Sequence, residues 1–151
     1  MSLVIPDRYC ELIDLIYKYH GYLFGGAVRD FLSGVTPNDI DVSISDTVVH
    51  EFYSDLEMSG YIQSLDNKFV KNEITVDVSE LPEDAELSVD INVSPDFDVN
   101  CLAWDGHRIF NFWNPQFDIA ETLKHINEKK MVPITPSKNR MDKMLSKGWK
   151  L

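Results

Sequence analysis

Two aspartates one residue apart, Asp39 and Asp41, follow a glycine pair, Gly25-Gly26, within the stretch GYLFGGAVRDFLSGVTPNDIDVSI from Gly21 to Ile44. The run Asp39-Ile40-Asp41-Val42-Ser43-Ile44 alternates strictly, and on a strand alternate side chains share a face. Asp39, Asp41 and Ser43 therefore point one way, while Ile40, Val42 and Ile44 point into a core. Neighbouring carboxylates repel. A hard divalent cation removes that penalty, and carboxylate oxygens suit Mg²⁺, which takes one or two of them together with substrate phosphates and water. Gly25-Gly26 breaks the apolar run Tyr22 to Phe24 and presents bare backbone N–H groups at the start of a helix, an anion site. A phosphate cradle beside a metal cradle is the equipment of nucleotidyl transfer. Asp-x-Asp alone reads more simply as an exposed acidic strand; the spacing to Gly25-Gly26 and Arg29-Asp30 argues for chemistry.

A third carboxylate is expected from Ile74-Thr75-Val76-Asp77-Val78-Ser79, which alternates again. Ile74, Val76 and Val78 share the core face, and Asp77 takes the polar one, like Asp39 and Asp41. The alternative for Asp77 is a plain exposed strand residue. Asp90, Asp96 and Asp98 are rivals for the third place. Asp30 either braces the glycine bend or faces solvent.

The elements that must position these groups can be read in order. Pro6-Asp7 opens a helix with Leu12, Ile13, Ile16 and Tyr17 as its core stripe, and His20 near its end. Asp46 or Thr47 caps a second helix carrying Val48, Val49, Phe52, Tyr53 and Leu56, and Gly60 ends it. Tyr61 to Ser64 and Phe69-Val70 are strands around an Asp66-Asn67 turn, and Glu80 to Asp90 is an exposed acidic loop. Trp104-Asp105-Gly106-His107 carries a hairpin signal, with His107 as plain surface and a return through Ile109 to Phe112. Asn114-Pro115 is a stop signal, and Phe117 to Lys129 is a helix aligning Ile119, Leu123 and Ile126. Ser137 caps a last helix bearing Met141, Met144 and Leu145 before Gly148.

The chain has 151 residues, enough for one domain with a real core. No apolar run is long enough to span a bilayer and no signal-peptide pattern opens the chain, so the expectation is a cytoplasmic protein without membrane contact. Cys10 and Cys101 lack paired-ligand spacing and are expected to be reduced core residues. The net charge of -11 is uneven: eight basic residues against three acidic ones from residue 121 onward give +5, which leaves -16 on residues 1–120. Such a body repels nucleic acid, so the basic C-terminal segment is the expected RNA contact.

The run GGAVRDFLSGVTPNDIDV resembles the head-domain signature of the tRNA CCA-adding enzyme and bacterial poly(A) polymerase family, within the polymerase β-like nucleotidyltransferases. Gly25, Gly26, Val28, Arg29, Asp30, Gly34, Asp39 and Asp41 fit its pattern. A second block, Asp96 to Trp104, is similar to the family's Arg-Arg-Asp-Phe-Thr-Ile-Asn-Ala-Leu-Ala-Tyr motif through Asp96, Phe97, Asn100, Leu102 and Ala103. The resemblance implies an α+β, polymerase β-like nucleotidyltransferase fold: a mixed, mainly antiparallel sheet with flanking helices. It implies a head domain over residues 1–136 and a C-terminal helix over 137–151 resembling the start of a neck. The chain departs from the family where Ser94-Pro95 stands for the arginine pair, and where Glu80 and Leu81 stand near a further arginine. Arg29, Lys68, Lys71 and Arg140 are the candidate substitutes.

Chemically, the resemblance implies Mg²⁺-dependent transfer of NMP from an NTP such as ATP, with pyrophosphate released. Asp39, Asp41 and Asp77 are the catalytic and metal-binding carboxylates, in the two-metal arrangement. Gly25, Gly26, Arg29, Asp30, Asp96 and Asn100 form the nucleotide site. Arg29 supplies charge to phosphate or braces Asp30, and Asn100 orders the pocket or caps the next segment. The acceptor is an RNA 3′ end, as in tRNA processing. The alternatives are a minimal nucleotidyltransferase acting on a protein or small molecule, or a decayed nucleotide-binding partner subunit. The family's neck, which selects the base, and its tRNA-gripping tail are absent from these residues. Val132, Ile134, Met141, Met144 and Trp149 are therefore expected to form an exposed apolar patch for self-association or for a partner chain.

Overall fold

A computed structural model describes residues 3–82, 95–113 and 118–151. Among them, helix α1 (Asp7–Lys18) leads into β1 (Tyr22–Phe24), α2 (Gly26–Leu32), β2 (Asp39–Ser45) and α3 (Val49–Met58). Then come β3 (Ile62–Leu65), β4 (Lys68–Lys71) and β5 (Ile74–Leu81). A 3₁₀ turn (Asp98–Asn100), β6 (Leu102–Trp104), β7 (Ile109–Asn111), α4 (Ile119–Asn127) and α5 (Lys138–Ser146) complete the described elements.

The strands form one seven-stranded sheet in the order β3-β4-β5-β2-β1-β6-β7. Among the described strands only β2 and β5 run parallel; every other neighbouring pair is antiparallel. This is the mixed, mainly antiparallel α+β fold with flanking helices that the sequence implies. The alternation in β2 and β5 sets the core: Ile40, Val42, Ile44, Ile74, Val76 and Val78 are all buried. Tyr9, Leu12 and Ile16 of α1 and Val49, Phe52 and Leu56 of α3 pack into the same cluster, each such burial contributing about 1.5–3 kcal/mol. A second cluster, Phe24, Ala103 and Phe112 with Tyr22 and Phe110 against it, covers the other face of β1, β6 and β7. No helix of the described residues is long and apolar enough to cross a membrane.

Several expectations are corrected. Tyr17 leaves the core stripe and is exposed. Its hydroxyl hydrogen-bonds His107 Nε2 at 2.8 Å, so His107 ties the hairpin tip to α1 rather than standing as bare surface. Gly106, at φ +99, allows this approach, because a Cβ there would collide with the Tyr17 ring. Cys10 is exposed on α1, whereas Cys101 is buried. Val48 occupies the N-cap of α3 without a side-chain cap. Leu145 is exposed.

The predicted C-terminal apolar patch loses two of its five members, while Val132 stays exposed. Met144 and Trp149 are buried in the main core, because the segment after α5 turns back and Met131 N–H donates to the Lys150 carbonyl at 2.8 Å. Ser137 caps α5 as expected, its Oγ accepting from the Arg140 amide at 3.2 Å. The expectations on Asp90, Ser94, Asn114-Pro115 and Phe117, and on most of the Glu80–Asp90 loop, lie outside the described residues.

Candidate active site

Strand register assembles the site. Asp77 on β5 is the direct partner of Asp41 on β2. Asp41 is in turn opposite Phe24 on β1, Phe24 opposite Ala103 on β6, and Ala103 opposite Phe110 on β7. On the far side Lys68 of β4 faces Asp77. One row thus crosses the sheet as Lys68, Asp77, Asp41, Phe24, Ala103, Phe110, all on one face. Asp39 lies two residues before Asp41, opposite Thr75, and is exposed.

The glycine bend begins where this row meets β1. Phe24 is the last residue of the strand, so Gly25 turns away beside Asp41. Its φ of 73° and ψ of -139° suit glycine alone. A Cβ at Gly25 would lie 3.8 Å from Asp41 Oδ2. The Gly25 amide donates to the Leu102 carbonyl at 2.8 Å. The amides left for an anion are those of the first turn of α2, from Gly26 onward, which have no intrahelical acceptor.

Asp41 is half-buried, and its environment resists its charge. Desolvation, then the charges of Asp77 and Asp39, push its carboxyl up to about 6, and Lys68 and Arg140 oppose this only in part. Lys68 Nζ lies 3.5 Å from Asp77 Oδ2. Among the described residues, no three Asp, Glu, His or Cys side chains gather closely enough to hold a metal ion. The donor chemistry still fits a hard divalent ion: Asp41 and its register partner Asp77 are oxygen donors, the charges of Asp77 and Asp39 both bear on the Asp41 carboxyl, and that repulsion is what a cation relieves.

Behind the bend runs a chain of charge-assisted hydrogen bonds. Arg29 is buried; its Nε donates to Asp30 Oδ1 at 2.9 Å, and its Nη2 lies 2.8 Å from the same oxygen as an ion pair. Its Nη1 donates to Asn100 Oδ1 at 2.6 Å, and its guanidinium lies over the Trp149 ring at 5.6 Å. Asn100 Nδ2 donates to Asp96 Oδ1 at 2.7 Å, and Arg140 Nε donates to Asp96 Oδ2 at 2.7 Å. Burial alone would raise the Asp96 carboxyl, but the hydrogen bonds from Asn100 and Arg140 outweigh it and hold it below the usual range. Asp30 is thus buried and paired, not solvent-facing, and Arg29 is occupied in bracing it.

Other sequence candidates lie elsewhere. Asp98 is buried away from the row, accepting from the Val99 and Val132 amides and paired with His125 Nδ1 at 2.7 Å. Lys71 pairs with Glu11 at 3.2 Å, across the molecule at α1. A cavity of about 530 Å³ opens over the site, with Phe24, Gly25, Asp41, Asp96, Asn100 and Arg140 in its wall. A smaller hollow of about 130 Å³ shares Gly26, Asp41 and Arg140 with it and adds Asp39, Lys143 and Lys147. The sequence counts these two lysines only within the basic C-terminal segment expected to contact RNA; their i, i+3, i+7 spacing with Arg140 shows a common helix face, but not that this face meets the carboxylate site.

No protein-family model matches the chain, and no curated protein matches it in sequence. Solved structures do match in fold. A CCA-adding enzyme in its apo form I superposes with a TM-score of 0.59 at 17% identity, over 85% of this chain and 34% of that one. The Thermotoga maritima CCA-adding enzyme complexed with tRNA gives 0.58 at 18% identity, over 85% of this chain and 33% of that one. A complex of CCA-adding enzyme with ATP gives 0.56 at 19% identity, again over 85% and 34%. The chain spans about a third of the length of these structures, and its fold is the one that this third of a CCA-adding enzyme adopts.

Proposed function

We propose that the chain is a nucleotidyltransferase that moves an NMP unit from an NTP to a hydroxyl at an RNA 3′ end. The observation that carries this reading is the Asp41–Asp77 register pair, with Asp39 beside it, facing the Gly25-Gly26 bend. The solved structures of similar fold include CCA-adding enzymes with ATP, CTP and tRNA, which supports an NTP donor and an RNA acceptor.

In this reading the acceptor hydroxyl oxygen attacks the α-phosphorus. The bond from that phosphorus to its bridging oxygen breaks, and pyrophosphate leaves with the electron pair. The hydroxyl proton passes to a carboxylate of the row. Mg²⁺, held by Asp39 and Asp41 with Asp77 alongside, would neutralise phosphate charge and make the hydroxyl more acidic. Arg29 holds Asp30, Asn100 and Trp149 together, so that α2 keeps its place behind the bend. Asp96, fixed by Asn100 and Arg140, borders the larger cavity, where Phe24 offers an apolar wall to the nucleoside.

Incubation with each labelled NTP, Mg²⁺ and total RNA tests this. Label in RNA is the expected result. Label in protein or in a small molecule would instead support the second acceptor class, which the acidity of residues 1–120 favours. Nucleotide binding without any transfer would contradict the enzyme reading.

A further inference from the structure

We infer that Lys143 of α5 and Lys147 at its C-cap, with Arg140, form the wall that binds the donor's polyphosphate; this rests on the nucleotidyltransferase reading above. A triphosphate brings several negative charges to a site that already holds Asp39 and Asp41, so cations must meet it. The nearby cations are mostly engaged. Arg29 is buried against Asp30, Lys68 faces Asp77, and Arg140 gives its Nε to Asp96. Lys143 and Lys147 make no ion pair among the described residues, and both line the small hollow with Gly26, Asp39 and Asp41.

The ammonium groups are placed for an anion. Arg140, Lys143 and Lys147 follow one helix face. Burial, and then the charge of Arg29 with those of Lys143 and Arg140, holds the Lys147 ammonium below the usual lysine range, against the opposing pull of Asp30. Positive charges gathered this closely repel one another, and a polyphosphate relieves them. The hollow has room for phosphate groups rather than for a nucleoside, and the adjoining larger cavity takes that part. A strand of RNA is the competing occupant of these lysines.

Calorimetry with inorganic tripolyphosphate and Mg²⁺ on the whole chain tests the assignment. The variant Lys143→Gln/Lys147→Gln should bind tripolyphosphate at least about tenfold more weakly than the native protein, as loss of charged hydrogen bonds implies. Lys143→Arg/Lys147→Arg should keep most of the affinity. Lys138→Gln/Lys150→Gln removes the same net charge elsewhere and should change it little. Unaltered binding by the 143/147 glutamine variant, an equal loss in the 138/150 control, absent binding by the native protein, or a loss confined to RNA binding would each overturn the inference. Thermal melts of all variants confirm folding. If the lysines bind tripolyphosphate but no nucleotide ever reaches an acceptor, the enzyme reading fails and the anion site stands. If transfer occurs and the glutamine variant leaves KM for the NTP unchanged, the reverse holds.

Discussion

Asp41 and Asp77 are register partners on the only parallel strand pair of the described sheet, and Asp41 alone of the two also adjoins the glycine bend. This makes Asp41 the pivot of the site and the source of its pH dependence. Folded, its carboxyl titrates near 6, against an ordinary value of 3.8. Between those values the native state holds a proton that the unfolded state has released. The contribution of Asp41 to the stability of the metal-free protein therefore falls as pH rises through that window, and levels off above it. The expected loss is on the order of 1–3 kcal/mol after solvent screening. Urea unfolding at about pH 4.5 and about pH 7.5 with a chelator present measures it, and Asp41→Asn should flatten the slope.

The Arg29 network predicts a large structural effect. Arg29→Met removes the partner of a buried Asp30 carboxylate and leaves the Asn100 carbonyl oxygen without its donor. Breaking such a buried pair from one side costs about 3–5 kcal/mol. Denaturant unfolding should show this loss, and Arg29→Lys should recover only a minor part, since a single ammonium lacks the planar fork that meets Asp30 and Asn100 from different nitrogens.

Ser43 offers the opposite sign. It follows Asp41 on the same face, is fully buried, and its Oγ has no hydrogen-bond partner among the described residues. An unpaired buried hydroxyl is unfavourable by about 1–3 kcal/mol. Ser43→Ala should therefore raise the unfolding midpoint or leave it unchanged. A clear drop would mean that the hydroxyl is satisfied in solution.

Gly25 should not tolerate a side chain, for a reason of backbone and not of space. The nearest atom to a Cβ there is at ordinary contact distance, but the φ of 73° is strained for any L residue. Gly25→Ala is expected to cost about 1–3 kcal/mol and to displace the bend from Asp41, which thermal melts and transfer assays would report together.

Local periodicity made part of this legible in the residues alone. The alternation of β2 and β5 sorts polar from apolar faces, and so places Asp39, Asp41 and Asp77 on one side. Their register is out of reach, because parallel pairing joins segments with no local turn to fix them. Arg29 and Asn100 meet across 71 residues, so Arg29 reads equally well as a phosphate ligand or as a brace. The misplaced apolar patch has the same origin: the spacing of Met141, Met144 and Trp149 marks an apolar face, but not that the chain folds back to bury Met144 and Trp149. Periodicity puts Tyr17 in the core, while its hydroxyl finds His107 at the tip of a distant hairpin.

Release of pyrophosphate and incorporation of label from NTP, compared between the native chain and Asp39→Ala/Asp41→Ala under Mg²⁺, goes most directly to the centre of this account. Loss of both signals in the double variant, with its melting transition intact, is the predicted result. Turnover equal to that of the native chain would show that this carboxylate row is not where the reaction takes place.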